Sequence, residues 1–342
     1  MADFYLLIGK WYRRNERALP WRKTKNPYFI WLSEIIMQQT RIEQGTNYYL
    51  KFTTEYPTIQ DLANASEQDV LNNWQGLGYY SRARNLHFSA KYVVNELDGK
   101  FPETYKEIIK LKGVGTYTAA AIASFAYNER CAVVDGNVYR FLSRLFDVAT
   151  PIDSTQGKKD FQLLADELIE KADPGQHNQA MMEMGSLVCA PNPNCEECPV
   201  NIHCLARKND TIKQRPVKSK KTKVRDRYFH YLLYNFDGKT VIVKRTEKGI
   251  WQNMYQFPLI ETESTTTPKV ISEEISFSSV VHKHILSHQH IFAVFHHIDS
   301  EPADLDSDWI SINSADIQDY PLPRIIDRYL EDKSNPQGQL NF

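Results

Sequence analysis

Two acidic residues, Glu34 and Asp135, stand in settings that suit acid–base chemistry. On a helix, the neighbours of Glu34 would be the apolar side chains of Ile30, Trp31 and Met37. Such a surround would raise the pKa of the Glu34 carboxyl group. Considered singly, each acidic residue is better explained by a structural role. Asp135 lies just before a second helix and could simply be the N-cap residue of that helix. Together, one protonated and one ionised carboxyl group would suit the cleavage of a glycosidic bond.

A glycine-containing turn, Gly113-Val114-Gly115, lies between two helical segments and ends twenty residues before Asp135. Two glycines one residue apart let the backbone approach a ligand closely, and the N–H groups that open the following helix would point at an anion. The turn therefore predicts a binding site for one phosphate group. An ordinary helix–helix turn is the alternative.

Four of the five cysteines form a cluster with the spacing C-x5-C-x2-C-x5-C, at Cys189, Cys195, Cys198 and Cys204. In a chain with so few cysteines, this pattern is typical of a metal site in a reducing compartment. Four thiolates so close together suit a tetrahedral Zn²⁺ ion or a [4Fe–4S] cluster. Ligand chemistry alone leaves both open.

The composition is that of an ordinary globular protein without a dominant charge. The 342 residues are enough for two domains, possibly three, and 41 Lys and Arg against 42 Asp and Glu give a net charge of −1. Any surface that binds nucleic acid must therefore be confined to one part of the protein. No stretch has the pattern of a membrane span or a signal peptide, which together with the cysteine usage predicts a cytoplasmic protein.

The apolar pattern divides the chain into a helical part and a part with strands. Up to about residue 206, apolar residues recur at intervals of three and four. Residues 207–227 carry ten basic and two acidic side chains and predict a linker, either a solvated tether or one that also lies along phosphates. Beyond it we expect strands at 228–236, 240–245 and 291–298, a tight turn at Asp237-Gly238, and a last helix at 324–330.

The helical part resembles the helix–hairpin–helix DNA glycosylase superfamily, in which such a hairpin is followed by an aspartate and often by a four-cysteine iron–sulfur loop. Along nearly its full length the chain resembles the MutY family of adenine DNA glycosylases. The motifs that carry this resemblance are LPWR at 19–22, WLSEIIMQQT at 31–40, GLGYYSRAR at 76–84, LKGVGTYTAA at 111–120 and DGNV at 135–138.

The resemblance implies a mainly α N-terminal helix–hairpin–helix glycosylase domain with an iron–sulfur cluster loop, plus an α+β Nudix-like C-terminal domain. The boundaries we expect are 1–206 for the glycosylase domain with its cluster loop at 189–204, 207–227 for the basic linker, 228–332 for the Nudix-like lesion-recognition domain and 333–342 for a tail. Nothing after Pro258 supplies the Arg-Glu…Glu-Glu helix that binds Mg²⁺ in Nudix hydrolases, so nucleotide hydrolysis by this domain is not expected.

The resemblance also implies catalytic roles. Glu34 would be the acid that protonates adenine at N7, and Asp135 would stabilise the oxocarbenium-like sugar or capture it covalently, with Asn137 orienting the catalytic groups. Tyr117 stands where the endonuclease III type carries its Schiff-base lysine. Without that amine we expect hydrolysis that leaves an abasic site, with Tyr117 lining the pocket or assisting Asp135.

To reach its target the enzyme would flip the base out of the duplex and fill the gap. The adenine pocket implied by resemblance consists of Trp21, Arg22, Met37 and Gln179, with Glu183 as a weaker candidate. The side chains that would enter the stack or read the opposite base are Gln39, Thr40, Leu77, Tyr79, Ser287 and His288. Leu77 and Tyr79 could instead belong to the core. Gly113, Val114 and Gly115 would hold a DNA phosphate.

The sequence departs from the family pattern at two places. The first cysteine interval is five residues instead of the usual six, while the other intervals are kept, so Cys189, Cys195, Cys198 and Cys204 would still hold a [4Fe–4S] cluster with a structural role. In the C-terminal domain, Leu286 replaces the Phe of a Phe-Ser-His loop. Ser287 is then the candidate for a hydrogen bond to 8-oxoguanine.

We therefore expect a monomeric enzyme that removes adenine mispaired with 8-oxoguanine or guanine in double-stranded DNA. The alternatives are an endonuclease III-like glycosylase and lyase for oxidised pyrimidines, and a non-catalytic mispair-binding adaptor. Residues 337–342, from Gln337 to Phe342, have the form Q-x-x-L-x-F and resemble peptides that dock on the bacterial sliding clamp, with a frayed tail as the alternative. Six of the ten histidines lie within 282–297, where we expect an exposed or DNA-facing patch.

Overall fold

The computed structural model describes residues 4–219, 224–271, 273–303 and 306–332. By its internal contacts the chain divides into two compact units. The first unit consists of Met1–Asn64 and Asn85–Lys220, and the second of Ala65–Arg84 and Lys221–Phe342. Residues 337–342, the segment that resembles a clamp-docking peptide, lie outside the described residues. In the described ranges, no helix has both the length and the apolar character needed to cross a membrane.

The described residues form thirteen α-helices and eight β-strands. The helices are α1 Phe4–Asn15, α2 Pro27–Ile36, α3 Ile42–Glu55, α4 Ile59–Asn64, α5 Glu67–Trp74, α6 Ser81–Glu96, α7 Tyr105–Ile108, α8 Thr116–Tyr127, α9 Gly136–Leu145, α10 Thr155–Ile169, α11 Pro174–Glu183, α12 Leu205–Lys208 and α13 Arg324–Glu331. The strands are β1 Arg225–Tyr234, β2 Lys239–Lys244, β3 Tyr255–Gln256, β4 Leu259–Thr262, β5 Phe277–Ser278, β6 His282–Ile285, β7 Gln289–Ile298 and β8 Trp309–Asn313.

Helices α2 and α8 form the centre of the first unit because both are apolar on nearly every side. A helix of this kind is stable only when it is enclosed by other elements. Helix α2 begins at Pro27, where the Asn26 side chain accepts a hydrogen bond from the N–H of Tyr28. Helix α8 packs against α2, α7 and α11 and ends at Asn128, which has a left-handed backbone. This packing brings residues of α2 and of α8 to one place.

The second unit contains two sheets. The five-stranded sheet has the order β4-β1-β7-β5, with β6 also paired to β7, and the three-stranded sheet has the order β3-β2-β8. Strands β1 and β7 are parallel, from the pair Arg225 and Gln289 to the pair Tyr234 and Ile298. The predicted turn at Asp237-Gly238 is present, with φ values of 47° and 71°. Strands β1 and β2, on either side of this turn, belong to different sheets. Phe236 and Lys239 form one isolated antiparallel bridge across the turn.

The segment Ala65–Arg84 is joined to the C-terminal part of the second unit by side-chain hydrogen bonds. Asn253 donates to Glu67 at 2.5 Å, and Arg84 donates to the carbonyl oxygen of Gln252 at 2.6 Å. Gln75 donates to Asp327 at 3.0 Å. The sequence pattern gave no signal for these contacts, because 65–84 reads as an ordinary helical stretch. The predicted domain boundaries stay a prediction.

Part of the predicted linker is packed along the first unit. Arg144 donates to the carbonyl oxygens of Ile212 and Arg215 at 3.2 and 3.3 Å. Arg215 in turn forms an ion pair with Asp147 at 2.9 Å. This ion pair makes Arg215 part of the packing of the first unit.

The histidine-rich segment is not uniformly exposed, which corrects the expectation of a surface patch. His296 and His297 are buried on β7. His296 bonds to His230 at 3.0 Å and to Ser278 at 2.8 Å, and His297 bonds to Tyr329 at 2.7 Å. Polar side chains that are enclosed in this way must find partners within the protein. These two histidines are therefore part of the core.

Candidate active site

Glu34 and Tyr117 meet between α2 and α8. The hydroxyl group of Tyr117 donates a hydrogen bond to Oε2 of Glu34 at 2.8 Å, and only 7% of Glu34 is exposed. Burial raises the pKa of Glu34 to about 7, with a further increase from the Asp135 carboxylate, while Tyr117 and Arg22 oppose the rise. The apolar surround predicted for Glu34 is therefore present. At neutral pH a large fraction of this carboxyl group carries a proton.

Asp135 lies beside this pair and is held by its own neighbours. Its Oδ1 accepts from the N–H of Val138 at 2.7 Å, which caps α9, and its Oδ2 accepts from Nδ2 of Asn137 at 2.9 Å. Burial raises the pKa of Asp135, and these hydrogen bonds together with Arg140 limit the rise. Asp135 caps α9 and also acts electrostatically on Glu34, so the structural and chemical interpretations of Asp135 are compatible.

Arg140 connects Asn137 to the cysteine loop. It donates to Oδ1 of Asn137 at 2.8 Å, to the carbonyl oxygen of Gly185 at 2.5 Å and to the carbonyl oxygen of Cys189 at 2.7 Å. Each contact fixes one part of the guanidinium plane. A continuous chain of hydrogen bonds therefore runs from the first cysteine of the cluster to the carboxylate of Asp135.

The side chains predicted for an adenine pocket include two that are tightly held. Arg22 donates to Glu183 at 2.5 Å, and Arg17 also pairs with Glu183, at 2.8 Å. Glu183 is completely buried, and these two arginines balance its charge. Gln179 accepts a hydrogen bond from the hydroxyl group of Tyr12 at 2.5 Å. Arg22 also interacts electrostatically with Glu34, which places this cluster beside the acid.

Trp21 and Met37, the other two predicted pocket residues, are half-buried in the first unit. Trp21 makes an edge contact with Tyr49, with ring centroids 5.3 Å apart. A Cβ atom at Gly45 would lie 2.5 Å from the sulfur of Met37. Glycine is therefore required at position 45 for Met37 to keep its place.

The residues predicted to enter the DNA stack have an unusual backbone. Gln39 and Tyr79 have positive φ values of 55° and 48°, and both side chains are exposed. Left-handed residues that are not glycine are uncommon and concentrate at functional sites. Thr40 is half-buried, whereas Leu77 is only 8% exposed and packs as a core residue in the second unit.

A pocket in the second unit is lined by two of the residues predicted to enter the stack or read the opposite base, Tyr79 and His288. Its volume is about 330 Å³, and its walls include Tyr79, Leu286 and His288. Arg84 and Trp251 also line it, although the sequence did not single them out. Ser287 is exposed beside the pocket, with its hydroxyl group 3.2 Å from Nδ1 of His288. The second unit thus places Tyr79 next to the loop that resembles Phe-Ser-His.

The glycine turn has the conformation that its sequence predicts. Gly113 has a φ of 84°, and a Cβ atom there would lie 2.7 Å from Cβ of Asn85. Val114 anchors the turn because it is 8% exposed, and Gly115 is the N-cap residue of α8. The N–H groups that open α8 follow directly, as an anion-binding turn requires.

All four clustered cysteines line one pocket, together with apolar side chains such as Phe141, Leu145 and Val200. None of the four forms a disulfide. Arg144 approaches Sγ of Cys189 at 3.5 Å and donates to the carbonyl oxygen of Ala190 at 2.7 Å. Within the described ranges, no three His, Cys, Asp or Glu side chains are arranged to hold a metal ion. Four thiols on one apolar pocket, with arginine nearby, nevertheless fit the donor set of an iron–sulfur cluster.

Comparison with known proteins decides the family. Residues 32–169 match the model of the HhH-GPD superfamily of base excision DNA repair proteins, and residues 230–332 match that of the NUDIX domain. The adenine DNA glycosylase of Buchnera aphidicola subsp. Schizaphis graminum is 34% identical over 294 residues, which cover 85% of this chain and 84% of that protein. The chain belongs to the adenine DNA glycosylase family. It is thus a DNA glycosylase of base excision repair, and the predicted family and fold class are confirmed.

Other comparisons are consistent with this assignment to the adenine DNA glycosylase family. The human adenine DNA glycosylase is 44% identical over 207 residues, covering 58% of this chain and 38% of that protein. A solved thermostable thymine-DNA glycosylase aligns with a TM-score of 0.57 at 28% identity, over 61% of this chain and 96% of that one. Endonuclease III in a non-covalent complex with DNA aligns with a TM-score of 0.51 at 20% identity, over 60% of this chain and 95% of that one, which shows a shared fold.

Sequence reasoning missed three residues of the site. Arg17 was not considered, although it lies two positions before the LPWR motif, and Tyr12 and Arg140 carried no signal of their own. Each acts through a contact between residues that are far apart in the chain. Tyr12 and Gln179, for example, are 167 positions apart. Only the packing of α1, α9 and α11 brings such pairs together.

Proposed function

We propose that this glycosylase removes adenine mispaired with 8-oxoguanine or guanine, by flipping the base out of the duplex and hydrolysing its N-glycosidic bond. The observation that carries the proposal is the contact of Glu34 with Tyr117, beside Asp135. A buried acid with a pKa of about 7 next to a second, hydrogen-bonded carboxyl group is the arrangement that acid-assisted glycosidic cleavage needs.

In this proposal Glu34 donates its proton to N7 of adenine, so that the base leaves as a neutral molecule. Asp135 in its ionised form stabilises the positive charge that develops on the sugar. Asn137 holds Asp135 through the bond at 2.9 Å, and Tyr117 holds Glu34. A water molecule completes the hydrolysis and leaves an abasic site.

The base-binding roles follow the same assignment. Trp21, Arg22, Met37 and Gln179 surround the extruded adenine. Gln39 and Tyr79 enter the stack, with Thr40, Leu77, Ser287 and His288 at the opposite base. Support comes from the exposure and positive φ of Gln39 and Tyr79, and from the pocket shared by Tyr79, Leu286 and His288. The turn at Gly113, Val114 and Gly115 binds a DNA phosphate.

We propose a [4Fe–4S] cluster on Cys189, Cys195, Cys198 and Cys204. The cluster would cross-link a loop that otherwise has little regular structure, since the residues between Cys189 and Cys204 contain only one short 3-10 turn, at Asn201–His203. Arg144 and Arg140 offset the negative charge of the thiolates. The cluster is structural in this proposal and takes no part in the removal of the base.

The decisive experiment is a single-turnover assay on a duplex with one 8-oxoguanine·adenine pair. We expect release of free adenine and an abasic site that breaks only after alkali treatment, and no release by Glu34→Gln. Efficient strand nicking with borohydride trapping of a covalent complex would instead favour an endonuclease III-like lyase. Absence of base release from any mispair would contradict the proposal.

We further propose that the enzyme acts as a cytoplasmic monomer and that residues 337–342 dock on a sliding clamp. The cysteine usage supports the cytoplasmic compartment, and the Q-x-x-L-x-F form of the tail supports the docking. A chain that ends at residue 336 is expected to lose binding to the clamp and to keep full activity on a short duplex. Equal clamp binding by both chains would remove the docking proposal.

A further inference from the structure

The segment that leads from α8 to Asp135 belongs to no helix or strand. It consists of residues 128–135 and ends at the N-cap position of α9, and Ala132 and Val133 within it are buried. Buried backbone groups outside helices and sheets need partners from side chains. Gln162 on α10 is one such partner, since it donates to the carbonyl oxygen of Ala132 at 3.2 Å. The position of Asp135 therefore depends on the side chains that bind the backbone just before it.

Asn178 on α11 binds this backbone on both sides of Ala132. Its Oδ1 accepts from the N–H of Val133 at 3.0 Å, and its Nδ2 donates to the carbonyl oxygen of Cys131 at 2.8 Å. A backbone N–H group can only donate and a carbonyl oxygen can only accept, so these two bonds fix the orientation of the amide. Asn178 is 1% exposed, which keeps water from competing for the same groups.

The same amide also binds α8. Its Nδ2 donates to Oγ of Ser124 at 2.9 Å. The hydroxyl group of Ser124 donates its own hydrogen to the carbonyl oxygen of Ala121 at 3.2 Å, so Oγ is left to accept from Asn178. Both amide hydrogens and the amide oxygen are then in use. Asn178 thus joins the segment before Asp135 to the helix that carries Tyr117.

The hydrogen bonds that Asp135 itself makes do not provide this connection. Its bonds to Val138 and Asn137 lie within the first turn of α9, so they hold the carboxylate relative to α9 alone. Glu34, on which Asp135 acts, lies on α2, which packs against α8. The distance between the two carboxyl groups therefore depends on how the segment before Asp135 is held relative to α8.

We propose that Asn178 is a positioning residue that holds the backbone before Asp135 against α8, and thereby keeps the Asp135 carboxylate beside Glu34. The proposal rests on the roles given to Glu34 and Asp135 in the proposed function. Asn178 takes no part in proton transfer, because its polar atoms are all bonded within the protein.

The test measures the pKa of Glu34 in Asn178→Leu by carbon-13 NMR titration of the Glu carboxyl groups. Loss of one signal in Glu34→Gln identifies the resonance. Burial and the Asp135 carboxylate raise the pKa of Glu34 to about 7, whereas Tyr117 and Arg22 oppose the rise. If the carboxylate of Asp135 moves away, it raises this pKa less, so we expect the pKa of Glu34 to fall in the variant.

The rate of excision is measured on the same variant. Asn178→Leu should release adenine from an 8-oxoguanine·adenine duplex about tenfold to a hundredfold more slowly, the cost of misplacing a reacting group, with unchanged binding of the duplex. Tyr28→Phe is the matched control. It removes a buried hydrogen bond on α2, to the carbonyl oxygen of Tyr56 at 2.7 Å, and should leave both the rate and the pKa of Glu34 unchanged.

A double-mutant cycle shows whether Asn178 acts through Asp135. In an Asp135→Asn background, Asn178→Leu should not change the pKa of Glu34 further, because no charge is left to move. An equal fall in both backgrounds would mean that Asn178 only keeps Glu34 buried, and would overturn the proposal. A pKa that does not fall in folded Asn178→Leu would overturn it as well.

If Asn178→Leu does not fold, as judged by thermal unfolding, Ser124→Ala decides. This variant removes only the bond between Asn178 and α8. It should also lower the pKa of Glu34, and an unchanged pKa overturns the proposal.

These outcomes are separable from failure of the proposed function. Should the unmodified enzyme release no adenine, or should Asp135→Asn release it normally, the proposed function or its assignment of roles is wrong. Should Asp135→Asn be inactive while folded Asn178→Leu keeps the normal rate and the normal pKa of Glu34, only the role of Asn178 is wrong.

Discussion

The hydroxyl group of Tyr117 donates to Oε2 of Glu34 at 2.8 Å and thereby opposes the effect of burial on the Glu34 carboxyl group. Burial disfavours the ionised form, whereas a hydrogen bond to a carboxylate oxygen favours it. The result is a pKa of about 7. A general acid is most effective when its pKa lies near the working pH. In the proposed mechanism, this pair would therefore set the pH range in which Glu34 can protonate adenine.

Replacing Glu34 by Gln should reduce adenine excision to background, because the amide has no proton to give to N7. In the unmodified enzyme the single-turnover rate should fall above pH 7, by about tenfold per pH unit, as Glu34 loses its proton. On the acid side it should fall where Asp135 becomes protonated, above the ordinary carboxyl range because burial raises that pKa. A rate independent of pH between 6 and 9 would contradict this assignment.

Replacing Tyr117 by Phe should shift the alkaline limb of the same profile to higher pH. The hydrogen bond from Tyr117 lowers the pKa of Glu34, so its loss leaves burial less opposed and the carboxyl group keeps its proton longer. The rate against pH for the variant and the unmodified enzyme provides the measurement. Tyr127→Phe, also on α8, serves as control because the hydroxyl group of Tyr127 donates to the carbonyl oxygen of Phe101, at 3.5 Å. A shift to lower pH would be evidence against the role of Tyr117.

Replacing Arg140 by Met should slow excision by about a hundredfold, the cost of a small misplacement of a reacting group. Arg140 holds Asn137, which in turn holds Asp135, so its loss releases the carboxylate from a fixed position. Single-turnover rates and the iron content are measured together. Arg130→Met, at an exposed position, is the control. A normal rate at normal iron content would show that Asp135 does not depend on Arg140.

Replacing Cys198 by Ser should abolish the iron content of the purified protein and lower its thermal midpoint by more than about 5 °C, because metal binding and folding are coupled. Iron, sulfide and zinc analysis of the unmodified protein separates a [4Fe–4S] cluster from a Zn²⁺ site. Cys131→Ser, outside the cluster, should keep the metal. If the unmodified protein contains zinc and no iron, the four cysteines form a metal site, but the proposal of a [4Fe–4S] cluster is wrong.

Replacing Tyr79 by Ala should weaken binding to an 8-oxoguanine·adenine duplex and slow excision, with little effect on stability. The side chain is 45% exposed, and changes at such positions alter the free energy of unfolding by about 0.5 kcal/mol or less. Tyr92→Ala, at a position that is 39% exposed, is the matched control. Equal duplex binding by both variants and the unmodified enzyme would exclude Tyr79 from the DNA interface.

The sequence by itself determined the family, the fold class and the residue types of the site. Glu34 stands in an apolar segment, and the period of that segment already predicts a buried carboxyl group with a raised pKa. The spacing of Gly113 and Gly115 predicts a close turn at the start of a helix. These features are local, because a helix places its neighbours three and four positions apart whatever the rest of the chain does.

The tertiary structure alone decided which distant side chains meet. Tyr117 was expected to line the pocket or to assist Asp135, and the packing of α2 against α8 adds a hydrogen bond from its hydroxyl group to Glu34 that the sequence did not predict. Glu183 was a weak pocket candidate, and its burial makes it the partner of two arginines. The strands around Asp237-Gly238 looked like one hairpin, but β1 pairs in parallel with β7. Contacts of this kind depend on long-range packing, which a pattern of neighbouring residues does not encode.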